Sequence, residues 1–146
     1  MNAIEQNLAI ILADTYALYL KTQNYHWHVK GAQFKALHGL FEEQYIELAE
    51  AVDALAERIV ITGSHAPATF KEFDKLKRIA DGRSGISAND MVVELAKDHA
   101  TLVVDLNKAM VLAQEHRDEG TAKLLSDHIA AHEKSRWMLN ASREIE

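Results

Sequence analysis

Between Phe34 and Thr62 the sequence holds two pairs of potential metal ligands, His38 with Glu42 and Asp53 with Glu57, each four residues apart. On a helix that spacing puts both members of a pair on one face. Imidazole and carboxylate side chains together suit a divalent metal ion. With about 100° per residue and His38 at the origin, Glu42 falls at about 40°, Asp53 at about 60° and Glu57 at about 100°. The apolar stripe of the same segment, Phe41, Tyr45, Leu48, Val52, Leu55 and Ile59, centres at about 300° on that scale. The candidate ligands therefore flank the core face. Ile46 and Ala49, with Ala56 and Val60 nearby, put apolar residues on the same flank, which implies a second buried contact.

Spacing limits how these ligands can act. From Glu42 to Asp53 is roughly 16 Å along a helix, whereas a ligand sits only ~2 Å from its metal. One ion cannot reach both pairs of one chain. An antiparallel copy of the helix across a two-fold axis removes the difficulty, setting His38 and Glu42 of one chain against Asp53 and Glu57 of the other, twice by symmetry. On spacing alone, solvated charges on an amphipathic helix are the other reading. No Glu is followed three residues later by His, so an intrachain di-iron centre built on two Glu-x-x-His helices is not expected.

The elements that must carry these residues are helices. Six Gly and one Pro in 146 residues are few for a sheet-rich fold with many tight turns. Helical spacing of Leu8, Ile11, Leu12, Tyr16 and Leu20, with Leu18 beside them, predicts a first helix from about Asn2 to Val29, broken by Gly31. The second runs from Phe34 to Thr62, and Gly63 to Pro67 stops it. A short amphipathic piece over 69–79 carries Phe70, Phe73 and Leu76, and a loop follows at Gly82 to Gly85. Ser87 or Asn89 can cap a third long helix bearing Met91, Leu95, Leu102, Leu106 and Ala109. Gly120 separates it from a fourth with Leu124, Ile129, Trp137 and Leu139. The expected fold is all-α, a four-helix bundle with a short extra helix between the second and third long ones. The connection there exceeds what a hairpin needs, so it crosses the length of the bundle or serves a subunit contact.

Composition narrows the function. Hydrophobic residues at 48% and charged residues at 26% are an ordinary globular balance. Cysteine is absent, which removes disulfides, thiolate catalysis and Cys-based metal sites. A net charge of −6 repels nucleic acid. The apolar N-terminal stretch is too short for a membrane span, is interrupted by Asp14 and has no export-type cleavage site, so a cytoplasmic protein is expected. With no repeat, linker or low-complexity tract, residues 1–146 read as one domain.

The run Asn24-Tyr25-His26-Trp27-His28-Val29-Lys30-Gly31-Ala32-Gln33-Phe34, followed by Leu37-His38 and Phe41-Glu42-Glu43, resembles the signature of the Dps family, the mini-ferritins of bacteria and archaea. The likeness continues through Asp53-Ala54-Leu55-Ala56-Glu57-Arg58, the short helix around Gly63 to Phe73, and Trp137. The resemblance implies a hollow dodecameric shell that takes in Fe(II), oxidises it at di-iron sites between two-fold-related subunits, usually with hydrogen peroxide, and stores ferric mineral. It implies that His26 and His38 come from one subunit and Asp53 and Glu57 from its partner, with Glu42 a further acidic residue near the site. Trp27 becomes an aromatic neighbour of the iron able to take up oxidising equivalents. Asp118, Glu119 and Asp127 fall where the family lines acidic pores for iron entry; a solvated helix start, where acids complement the dipole, explains them equally.

Family members that coat DNA usually use a mobile basic tail, and here the first basic residue is Lys21. Direct DNA binding at neutral pH is therefore not expected, and a nucleoid-compacting protein with secondary iron oxidation is the alternative function. Of the other histidines, His28 should point away from His26. His128 and His132 read as an incidental surface pair, although the four-residue spacing can bind a metal. His65, His99 and His116 have no evident partner, and Trp137, Phe41 and the four Tyr read as packing residues.

Overall fold

In the computed structural model, which describes residues 2–144, the chain forms five helices: α1 (Ala3–His28), α2 (Phe34–Ile61), α3 (Phe70–Leu76), α4 (Ala88–Glu115) and α5 (Glu119–Ala141). The ends follow from local chemistry. Asn2 caps α1 in a reciprocal box: its Oδ1 accepts from the Glu5 N–H at 2.9 Å, and Glu5 Oε2 accepts from the Asn2 N–H at 3.1 Å. Gly31, at φ 112°, makes the tight turn into α2. At the far end of α2, Gly63 adopts φ 95° and the Ser64 N–H reaches back to the Ile59 carbonyl, a glycine-terminated cap. Ser87, not Asn89, caps α4, accepting from the Asp90 N–H at 3.0 Å.

α1 and α2 form one antiparallel hairpin, and α4 and α5 the other. Cross-contacts fix their relation. Lys21 meets Asp98 and Tyr25 meets Glu94, while Gln44 bonds Ser135 and Arg58 bonds Thr121, so α1 opposes α4 and α2 opposes α5. α2 and α4 are therefore parallel, and the connection over 62–87 must travel the length of the bundle. α3 lies on that path against α1. Asp14, fully buried, fastens the path by accepting the backbone N–H groups of Arg78 and Ile79 at 2.7 and 2.9 Å. Burial raises the Asp14 carboxyl above its ordinary range in spite of those bonds.

The core is filled by Leu8, Ile11, Leu12 and Leu18 of α1, Phe41, Leu48, Leu55 and Ile59 of α2, Leu95, Leu102 and Leu106 of α4, and Leu125 and Leu139 of α5. Several expectations need correction. Leu20 and Phe70 face outward instead of packing. Trp137 is 66% exposed, because the inner face of α5 is made by Thr121, Leu125, His132, Ser135 and Leu139. The short helix ends at Leu76, and Gly120 lies inside the first turn of α5 instead of before it. That glycine is needed for close approach, since a Cβ there would stand 2.7 Å from the Arg58 guanidinium. Among the described residues no helix is long and apolar enough to cross a membrane.

Candidate metal centre

The tight turn at Gly31 sets the last turn of α1 beside the first of α2, which brings His26 against His38. The rings stack with centroids 3.8 Å apart and planes 13° from parallel. Nδ1 of His26 lies 2.7 Å from the His38 carbonyl oxygen, and Nδ1 of His38 lies 2.7 Å from the His26 carbonyl oxygen. A carbonyl only accepts, so each Nδ1 carries a hydrogen, and in the neutral ring the lone pair lies on Nε2. The backbone thus fixes in both rings the tautomer that a metal requires. Phe34 stacks on His38 from outside and Tyr45 meets His26 edge-on, so both rings are held on two sides. His26 is buried and His38 half-buried. His28 is exposed and turned to Asn24, as its position predicts. Trp27 stands 59% exposed on the outer side of the same turn.

The carboxylates are elsewhere. Glu42, Asp53 and Glu57 all face solvent along α2. Glu57 hydrogen-bonds Asp53, and this bond with the neighbouring negative charge lifts the Glu57 carboxyl above its ordinary range. Such a pair gains from any cation that offsets the mutual repulsion of its two charges. Among the described residues no three His, Asp or Glu side chains converge closely enough to hold a metal ion. A straight α2 keeps His38 and Asp53 roughly 22 Å apart along its axis, so folding one chain cannot join them. Between them Ile46 is 50% and Val60, just beyond, 60% exposed, and Ala49 is also exposed, with Ala56 half-buried. The apolar flank noted in the sequence is left open by the single bundle.

Arg58, next to Glu57, turns the other way. Its Nε donates to Thr121 Oγ1 at 2.9 Å and its Nη2 to Asp118 Oδ1 at 3.0 Å. Asp118 also caps α5 through the Thr121 N–H, and the Thr121 hydroxyl donates to its Oδ2 at 2.6 Å. The Thr121 hydroxyl, with Arg58 assisting, holds the Asp118 carboxyl below its ordinary range. Of the three acids in the expected pore region, Asp118 is thus already occupied, Asp127 pairs with Lys123 at 3.1 Å, and Glu119 is exposed.

Two clusters were not read from the sequence. Lys21 is buried between Asp98 at 2.8 Å and Glu94 at 3.4 Å. Glu94 also accepts from the Tyr25 hydroxyl at 2.7 Å and pairs with Arg83, and burial pushes the Tyr25 phenol up to about 12. The second cluster corrects the histidine readings: His99 and His132 are buried and bonded to each other, so His132 is not a surface residue and His99 is not without a partner. A signal existed, because His99 occupies a core position of the stripe Leu95, Leu102 and Leu106. His65 and His116 also have contacts, with the Glu72 carboxylate and the Leu112 carbonyl.

Comparison with known proteins gives the setting for this geometry. The ferritin-like domain family matches residues 5–144. The chain is 42% identical over 130 residues to DNA protection during starvation protein 2 of Bacillus anthracis, an alignment covering 89% of each. The crystal structure of antigen TpF1 from Treponema pallidum superposes with a TM-score of 0.94 at 35% identity, covering 98% of this chain and 92% of the other. The crystal structure of the Dps protein from Vibrio cholerae O1, described as belonging to a broad superfamily of ferritin-like diiron-carboxylate proteins, gives 0.91 at 34% identity over 94% and 87%. With its five helices, long crossover and this likeness along nearly its whole length, the chain belongs to the Dps family of ferritin-like proteins.

Proposed function

We propose that this protein is a mini-ferritin that oxidises Fe(II), preferably with hydrogen peroxide, stores the ferric product inside a dodecameric shell, and so limits oxidative damage. The observation that carries this reading is the reciprocal bonding of His26 and His38, which leaves Nε2 of both rings free for a metal, while among the described residues no three His, Asp or Glu of one chain converge to hold it. Asp53 and Glu57 of a two-fold-related subunit complete the ligand set, and Glu42 adds negative charge beside it. The open apolar flank of α2 supports such a partner.

The residues then divide the work. His26 and His38 bind Fe(II) through Nε2 with no reorganisation, because their Nδ1 atoms are already engaged. Asp53 and Glu57 bind the cation through their carboxylates and offset its charge. Each Fe(II) gives up one electron. Two electrons with two protons turn one hydrogen peroxide into two waters, so a pair of irons consumes the oxidant without releasing hydroxyl radical. Dioxygen is the alternative oxidant. Trp27, exposed at the same turn, takes up oxidising equivalents from the site.

Mixed shells test the shared site. Asp53→Ala and His38→Ala subunits should each be inactive alone. Reassembled together, about a quarter of sites regain every ligand, since in a mixed two-fold pair one site loses both residues and its twin loses neither. Peroxide-dependent Fe(II) oxidation should recover accordingly; co-assembled shells as inactive as either parent would overturn the shared site. The DNA-compacting reading is disfavoured by the charge of −6 per chain, and a gel shift at neutral pH and low salt should show no complex.

A further inference from the structure

Three histidines that the proposed iron chemistry does not use come together between α4 and α5. Nδ1 of His99 lies 2.8 Å from Nδ1 of His132, with both side chains buried. Two ring nitrogens facing at that distance share one hydrogen: one donates and the other accepts. The rest of the cluster is poorly satisfied. His99 Nε2, His128 Nδ1 and Gln44 Oε1 are all buried without a hydrogen-bond partner. A cavity of about 30 Å³ adjoins them and is lined by Gln44, Glu47, His128, His132 and Ser135 among others. It has room for one or two waters, which gives protons a way in. No three ligands converge here either, so the cluster is not a metal site.

We propose that His99 and His132 form an acid-sensitive latch between α4 and α5: one hydrogen between the two Nδ1 atoms holds the helices together, and a second proton makes the contact repulsive. The surroundings offer little to offset such a charge. From α2 the ionisable residue at the cavity is Glu47. From α5 come His128 and, acting on it, Asp127. On α4 itself, Asp98 is engaged by Lys21 of α1, and α1 contributes nothing to the cavity lining. Burial, above all, holds the imidazoles of His99, His128 and His132 below their ordinary range, His132 at about 4.

The sign follows from linkage. Above about pH 6.5 these rings are neutral in the folded and unfolded chain alike, and stability does not depend on them. As pH falls toward 4 the unfolded chain takes up protons that the folded chain refuses. Folding is then lost by about tenfold in equilibrium constant per pH unit for each such ring. The inference does not depend on the iron reading.

Urea unfolding of the assembled protein at pH 6 and pH 5 tests it. The parent should lose about 60-fold more in folding equilibrium over that interval than His99→Leu/His132→Leu, which keeps every other titrating group. His65→Leu, at an exposed site, should fall as the parent does. An equal loss in the double variant and the parent would sink the latch. Should the double variant not fold, ¹⁵N spectra of the ring nitrogens in the native protein decide: both rings should stay neutral down to pH 5, and either titrating at about 6.5 would refute the proposal.

Discussion

Two backbone carbonyls, those of His26 and His38, determine which nitrogen each ring offers to a metal. Residue identity alone does not set this; it follows from the turn that lets each ring reach the other residue's carbonyl. Lys21 makes a second case at this scale. Its ammonium is buried with Asp98 and Glu94, and burial lifts the Asp98 carboxyl although Lys21 opposes the shift. Lys21→Met should destabilise the fold by about 3–5 kcal/mol, because it leaves the largely buried Asp98 without its cation, while Glu94 keeps Arg83. A drop in the urea midpoint at pH 7 measures the loss, and part of it should return at acid pH as Asp98 protonates. The sequence revealed the candidate ligand pairs because four-residue spacing is a property of one helix. It did not reveal Lys21, whose partners lie on another helix more than seventy residues away.

At the scale of elements, helix ends are decided by neighbours in sequence, and most were legible. Gly31 and Gly63 act where the pattern placed them, and α1 starts near Asn2 as expected, with the Asn2–Glu5 capping box added by the structure. Ser87 and Asn89 were equivalent candidates, and the structure separates them: Ser87 caps α4, while Asn89 Oδ1 accepts from the Glu144 N–H. Ser87→Ala should cost about 1 kcal/mol and Asn89→Ala should leave the cap intact, which paired urea midpoints will show. The start of α5 depends on contact with α2. Gly120→Ala would push the Arg58 guanidinium off Asp118 and Thr121, and the loss of those charge-assisted bonds should outweigh the helix-propensity gain of ~1 kcal/mol. A lowered thermal midpoint for Gly120→Ala is the expected result.

For the whole molecule, the exposed apolar residues of α2 make the strongest demand. Ile46 and Val60 beside the candidate carboxylates call for a partner surface, which the proposed two-fold copy of α2 would supply. Sedimentation at micromolar concentration should give a particle of twelve 16.4 kDa chains. Ile46→Asp should yield smaller species and lose Fe(II) oxidation together with assembly, whereas Asp53→Ala should lose oxidation and keep the shell.

By itself the sequence determined the helices, their order and the two pairs of candidate ligand residues, since all of these rest on periodicity and spacing within short stretches, whereas the path of the long connection was left between two alternatives. Family likeness added His26, which lies on a different helix from His38 and which no spacing rule connects to it. Tertiary structure alone decided the rest. It made the inner face of α5 partly polar, with Thr121, His132 and Ser135 buried against other helices and Trp137 left outside. It joined His99 to His132 and Lys21 to Asp98, and it committed Asp118 to Arg58. A polar residue becomes a core residue only when a partner from a distant segment meets its hydrogen-bonding groups, and that meeting is fixed by how the helices pack.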